Sequence, residues 1–270
     1  MDRLDQRLTR LVLLNDRDNL LRGGVRAKFD KVKEKDGFQI SGLKAEASAD
    51  YFYSLNRGEQ AFYRAKARVN YYKPVFGNTV LAVQLSGGFS SARFVPQYYL
   101  GGVPGQLHNP LVFQRREENR IRDNSVDTAL YALQFAEFIT PMRGFGYNTR
   151  SGSRYVVANV ELRLPISRLL RNSLQPSSLY NIELIPFIDA GTVWTEGNPF
   201  SQRKPTDTQF ITSGNVTIKL QTLKSPFLIG MGTGLRVKLL SWAARIDLAW
   251  GLDDYILQRP QLTTSLSKNF

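Results

Sequence analysis

The sequence predicts an all-β protein built from antiparallel strands, and three observations carry that prediction. Apolar and polar residues alternate with period 2 over nine segments, as side chains do on the two faces of a strand. The polar parity carries full charges and glycines, while aromatic residues sit towards the ends of the apolar parity. The segments run about 9–14 residues, long for globular strands but the length that crosses a bilayer at a tilt. A soluble sandwich or barrel would bury the apolar parity. A transmembrane β-barrel would turn it to lipid around a polar lumen. Strand length, charge parity and aromatic placement favour the transmembrane β-barrel.

The strands follow in order. Segments 24–30 and 44–55 alternate with some exceptions. In 62–72, Arg64, Lys66, Arg68 and Asn70 face away from Tyr63, Ala65, Ala67, Val69 and Tyr71. Segment 78–90 comes next, and a stretch of about sixty residues (92–152) then separates it from the following strand. Loops of that length are uncommon in compact domains and usually have a function. Within it, Ala129, Leu130, Leu133 and Phe138 fall at helical spacing and predict a short helix over 126–138.

In 155–164, Asn159, Glu161 and Arg163 oppose Val156, Ala158, Val160, Leu162 and Leu164. In 181–190, Glu183 and Asp189 share the polar parity, and a long connection over 191–225 follows. Segment 227–239 carries spaced glycines, and 244–251 alternates Arg245 and Asp247 with Ile246, Leu248 and Trp250. The last strand, 261–270, would turn Leu262, Thr264, Leu266, Lys268 and Phe270 outward. Residues 1–19 are left unassigned, and 20–270 read as one barrel domain.

Several chemistries find no support. The chain has no cysteine and only His108, so thiolate chemistry and multi-ligand metal sites have no material; no metal or cofactor is expected. "IDAGT" (188–192) lacks the second aspartate that an aspartic protease needs. "GMGTGLR" (230–236) continues as strand, where a dinucleotide fingerprint would open a helix. Glycines on one parity of a strand leave room for something packed on that face. The net charge of +13 is spread over many strands on one parity, which fits a lumen lining better than a nucleic-acid patch. An enzyme is not expected.

An ordered set of motifs resembles the C-terminal barrel of the bacterial surface antigen superfamily, the outer-membrane assembly factors of the BamA and TamA type. The matching stretches are "YYLGG" (98–102), "MRGF" (142–145), "VANVELRLP" (157–165), "FIDAGTVW" (187–194), "GTGLRV" (232–237), "RIDLAWGLD" (245–253) and the terminal strand ending in Phe270. The resemblance implies a barrel of about sixteen strands, of which this chain would supply the C-terminal nine. It implies that the 92–152 loop folds into the lumen with Arg143, Gly144 and Phe145 at its tip. Glu161 and Asp189 would be wall partners of Arg143, and Gly232 and Gly234 would leave space for the loop. Leu266 and Phe270 would belong to a C-terminal assembly signal, in which Lys268 is atypical.

The implied function is insertion or translocation of outer-membrane or surface proteins across a weak seam between first and last strands. A passive porin-like pore is the alternative, and a soluble barrel for anionic ligands comes third. Expected partners are outer-membrane lipid (including lipopolysaccharide), client β-barrel or surface proteins, and periplasmic or lipoprotein partners, with no nucleic acid. The expected location is the bacterial outer membrane. The insertion before "MRGF" resembles a Bacteroidota subgroup whose barrel follows a propeller-like domain. Residues 1–19 lack the basic start and apolar core of a signal peptide, so the chain is expected to be the C-terminal part of a longer exported protein.

Overall fold

The computed structural model describes residues 20–35, 38–54, 61–91, 98–103, 106–108, 137–139, 141–147, 149–166, 181–195, 207–213, 216–222, 225, 227–239 and 242–268. In chain order the strands are β1 (Leu20–Lys35), β2 (Phe38–Ser54), β3 (Phe62–Pro74), β4 (Val80–Ser90), β5 (Tyr98–Leu100), β6 (Gln106–His108), β7 (Glu137–Ile139) and β8 (Arg150–Gly152). They continue as β9 (Arg154–Pro165), β10 (Asn181–Trp194), β11 (Asp207–Ser213), β12 (Val216–Thr222), β13 (Phe227–Leu239), β14 (Trp242–Asp253), β15 (Ile256–Leu257) and β16 (Gln261–Lys268).

The nine long strands are the nine that the alternation predicts. They form one antiparallel meander in the order β1-β2-β3-β4-β9-β10-β13-β14-β16. The path is open: among the described residues β1 and β16 do not pair with each other, and the free edge of β16 is met only by β6.

Exposure separates the two candidate architectures. Ile188 is 57% exposed, Ile246 49% and Leu235 45%, whereas Asp189 and Asp247 on the opposite parity are fully buried. The apolar parity therefore faces outward and the charged parity inward, the arrangement of a lipid-embedded barrel. At one end the connections between β1 and β2, β3 and β4, and β13 and β14 are short, while residues 166–180 join β9 to β10 there. The other end carries the segments joining β4 to β9 and β10 to β13. Long loops mark the outer-surface end of such barrels.

Two expectations for the connections change. The predicted helix over 126–138 lies mostly outside the described residues, but Glu137 and Phe138 belong to strand β7. There β7 runs parallel to β5, while β8 pairs with β5 from the other side, so backbone pairing overrides a helical spacing of apolar residues. The 191–225 connection begins later than expected, because β10 extends to Trp194, and it contains the β11–β12 hairpin.

The three-stranded sheet β7-β5-β8 lies on the lumen side of the wall. Tyr98, Leu100, Ile139, Met142 and Phe145 form one buried cluster with Tyr155, Val157, Val193 and Leu228 of the wall. Glu137 fixes the sheet laterally, accepting from Lys66 of β3 at 2.7 Å, with Arg64 at 3.6 Å. Burial raises the Tyr98 phenol above its ordinary pKa, and the nearby Glu137 charge adds to the rise.

Candidate functional site: a loop tip seated on the lumen wall

The wall supplies a graded row of side chains. Asn159 of β9, Asp189 of β10, Gly230 of β13 and Gly251 of β14 are successive register partners, all on the lumen parity. A carboxylate thus stands beside two positions with no side chain. One step along the strands, Glu161 pairs with Phe187 and Phe187 with Gly232. Asp189 and Glu161 are therefore diagonal neighbours across β9 and β10, a separation that a long forked side chain can bridge.

Arg143 occupies this corner at 1% exposure. Its Nε donates to Asp189 Oδ2 at 2.7 Å, its Nη2 to Asp189 Oδ1 at 2.5 Å, and its Nη1 to Glu161 Oε1 at 2.7 Å. The backbone N–H of Arg143 also donates to Asp189 Oδ2, at 3.0 Å. The guanidinium plane lies 3.6 Å from the centroid of the Phe187 ring, a cation–π contact inside a desolvated site. A planar fork with several donors suits this arrangement, whereas an ammonium would meet it as a point charge. Burial alone would lower the guanidinium pKa. The hydrogen bond and charge of Asp189, with the charges of Glu161 and Asp247, reverse this and hold it above its ordinary value.

The glycines explain how the backbone comes so close. Gly144 has φ +84°, and a Cβ there would sit 2.6 Å from the Trp250 carbonyl carbon. A Cβ on Gly230 would lie 2.0 Å from the Arg143 carbonyl oxygen, and one on Gly251 would lie 2.5 Å from that of Gly144. Phe145 is buried against Gly251 and within the loop cluster.

The assignment of Gly232 and Gly234 as the loop-accommodating glycines is therefore corrected. A Cβ on Gly232 would meet Leu248, Ala249 and the Phe187 ring, and one on Gly234 would meet the Asp247 carboxylate. They make room for the backbone and side chains of the wall itself, and Gly230 and Gly251 make room for the tip. Gly230→Ala is expected to unseat the tip by overpacking, at about 1–3 kcal/mol. Limited proteolysis of the loop checks it, and unchanged protection contradicts it.

Further polar side chains surround the seat and tie it to the wall. Asn159 Nδ2 donates to Asp189 Oδ1 and to the Pro141 carbonyl, both at 2.9 Å, so it ties wall to loop. Glu161 also accepts from Arg163 at 3.1 Å and Arg245 at 2.9 Å, and Arg245 donates to Asp247 at 2.8 Å. Arg236 pairs with Glu183 lower on the wall. Asn159, Phe187, Arg163 and Arg245 were legible only as members of a polar or apolar parity. Leu266 is exposed on the outer face of β16, and Phe270 lies outside the described residues.

Fold and site together define a transmembrane β-barrel wall whose lumen side receives an inward-folded loop. A family model described as the Omp85 superfamily domain matches residues 38–267, and the chain belongs to that superfamily. Among solved structures it is similar to "The crystal structure of BamA from Haemophilus ducreyi lacking POTRA domains 1-3", with a TM-score of 0.51 and 13% sequence identity. The likeness covers 90% of this chain and 42% of that one, so the chain spans less than half of that protein's length, and the similarity is one of fold. A search of curated proteins finds no match.

Proposed function

We propose that this chain is the lumen-loop-bearing wall of an outer-membrane barrel that inserts or translocates other outer-membrane or surface proteins, with no reaction chemistry of its own. The observation that carries this reading is the seated tip. The buried Arg143–Asp189–Glu161 cluster fastens the loop to the lumen wall at the place where the resemblance to outer-membrane assembly factors puts it. The state of the last strand supports the same reading. β16 pairs with β14 over eight register positions, but its other edge is met by β6 at two, with a register shift between them. Among the described residues β6 covers only part of this edge, and a partly covered strand edge is a surface on which another strand can add.

Client strands, periplasmic or lipoprotein partners and the bacterial outer membrane are the surroundings this reading requires. The long segment between β5 and Met142 supports placing the chain in the subgroup whose barrel follows a propeller-like domain. Leu266 and Phe270 belong on this reading to the signal by which the barrel itself is delivered. Deleting Phe270 from the full-length protein is expected to stall it in the periplasm, and an unchanged membrane yield counts against that role.

The experiment is depletion of the full-length protein, followed by the amount of heat-resistant barrel proteins in the outer membrane. A fall restored by the wild-type gene, but not by Arg143→Glu, supports assembly. Unchanged barrel levels, with a steady ion current through the purified protein, make it a pore instead.

A further inference from the structure

The outer face carries a feature that neither the lumen loop nor the seam uses. Along one row of register partners, Ala27, Ala47, Ala67 and Gly87 follow one another across β1 to β4, ending on Val156 of β9. The next row towards the long-loop end, about 7 Å away, runs Ala49, Ala65, Phe89, Arg154 and Trp194. One row higher still, Tyr51 and Tyr63 are paired and more than half exposed. Small side chains below bulky ones leave a shallow apolar hollow of about 610 Å³ on the lipid side, with Phe89, Arg154 and Trp194 at one flank.

That flank holds two donors in want of an acceptor. Arg154 Nε and Trp194 Nε1 are both buried without a hydrogen-bond partner, and the two residues are direct register partners. The Arg154 guanidinium lies 5.1 Å from the centroid of the Phe89 ring, which holds it towards the hollow. A cation on the lipid face is costly unless it is paired or reaches the interface. Arg154 is on the outward parity, away from the carboxylates of the lumen wall.

We propose that the hollow and its flank form a binding site for a phosphorylated glycolipid of the lipid A class. A phosphate oxygen accepts from Arg154 and Trp194, and an acyl chain lies over the alanine and glycine floor. Three features on the molecule choose this ligand. The unpartnered guanidinium Nε and indole N–H call for an anionic acceptor. The apolar floor calls for hydrocarbon. The position under the aromatic rim at the long-loop end places the headgroup in the outer leaflet, where phosphorylated glycolipid is the acidic lipid.

The test uses the purified full-length protein in nanodiscs of phosphatidylethanolamine, doped in turn with bisphosphorylated lipid A, enzymatically dephosphorylated lipid A, or phosphatidylglycerol. Lipid retained by the protein is counted by native mass spectrometry. The wild type is expected to keep bisphosphorylated lipid A over both other lipids, and Arg154→Gln to lower that retention by about tenfold or more. Trp194→Phe keeps the ring, removes one donor and is expected to fall between them, which keeps the proposal testable where Arg154→Gln does not fold. Equal retention of the dephosphorylated lipid, equal retention of phosphatidylglycerol, or a Trp194→Phe or folded Arg154→Gln protein that matches wild type overturns it. The proposal rests on the outer-membrane placement of that reading, but because the readout is bound lipid and no client is present, its failure is distinguishable from failure of the assembly role.

Discussion

Arg143→Glu in the full-length barrel is expected to abolish heat-resistant mobility on detergent gels and expose the loop to protease. The substitution would bring a third carboxylate against Asp189 and Glu161 in a site where the native cation is 1% exposed. Breaking a buried pair by removing one partner costs about 3–5 kcal/mol, and reversing the charge adds repulsion to that loss. Asp189→Arg is expected to fail similarly, since it sets a cation beside Arg143 and discards the acceptor for the Arg143 N–H and for Asn159. The double variant should recover part of the loss, because contacting residues are not additive. Recovery is limited to part, since Glu161 remains beside the new acid and the backbone acceptor is gone. A double variant no better than the sum of its singles shows that this bridge does not hold the tip.

Charge placed on the outer face is expected to cost nearly as much. Val160 and Ile188 are register partners near the middle of β9 and β10, and both are exposed on the apolar parity. Arg at either position should cost about 2–4 kcal/mol at the bilayer midplane or block insertion. Arg64→Leu, on the lumen parity, should be milder, because Lys66 stays on Glu137 when Arg64 is lost. Membrane fractionation compares the variants. Equal tolerance on the two faces contradicts a lipid-facing apolar parity.

Strand existence and facing were legible because alternation reports them directly, one residue at a time. Asp189 against Ile188 is enough to orient β10, and Arg245 with Asp247 against Ile246 is enough for β14. Register was not legible. Gly230, Gly232 and Gly234 share a parity, and nothing within their strand tells which one stands beside Asp189. Pairing with β10 decides it, and so moves the loop contact from Gly232 and Gly234 to Gly230, with Gly251 beyond it. Asn159 was hidden for the same reason, as its role depends on lying opposite Asp189. The helical reading of Phe138 failed because a β7 strand of three residues is too short to show a period. The tip was legible through its resemblance to a family motif rather than through local pattern, since an isolated Arg-Gly is ordinarily a solvated turn.

The central claim is that the tip is seated in the lumen, and thiol accessibility tests it most directly. The chain has no cysteine, so in a cysteine-free full-length protein a single introduced thiol reports its own site. Phe145 is 5% exposed, while its neighbour Gly146 is exposed with no atom within 4 Å of a Cβ built there. The thiol of Phe145→Cys should resist a soluble maleimide in the folded barrel, react quickly once Arg143→Ala is added, and differ sharply from the freely labelled Gly146→Cys. Phe145→Cys reacting as fast as Gly146→Cys in an intact, heat-resistant barrel would mean that the loop tip lies outside the lumen and that Arg143 does not hold it.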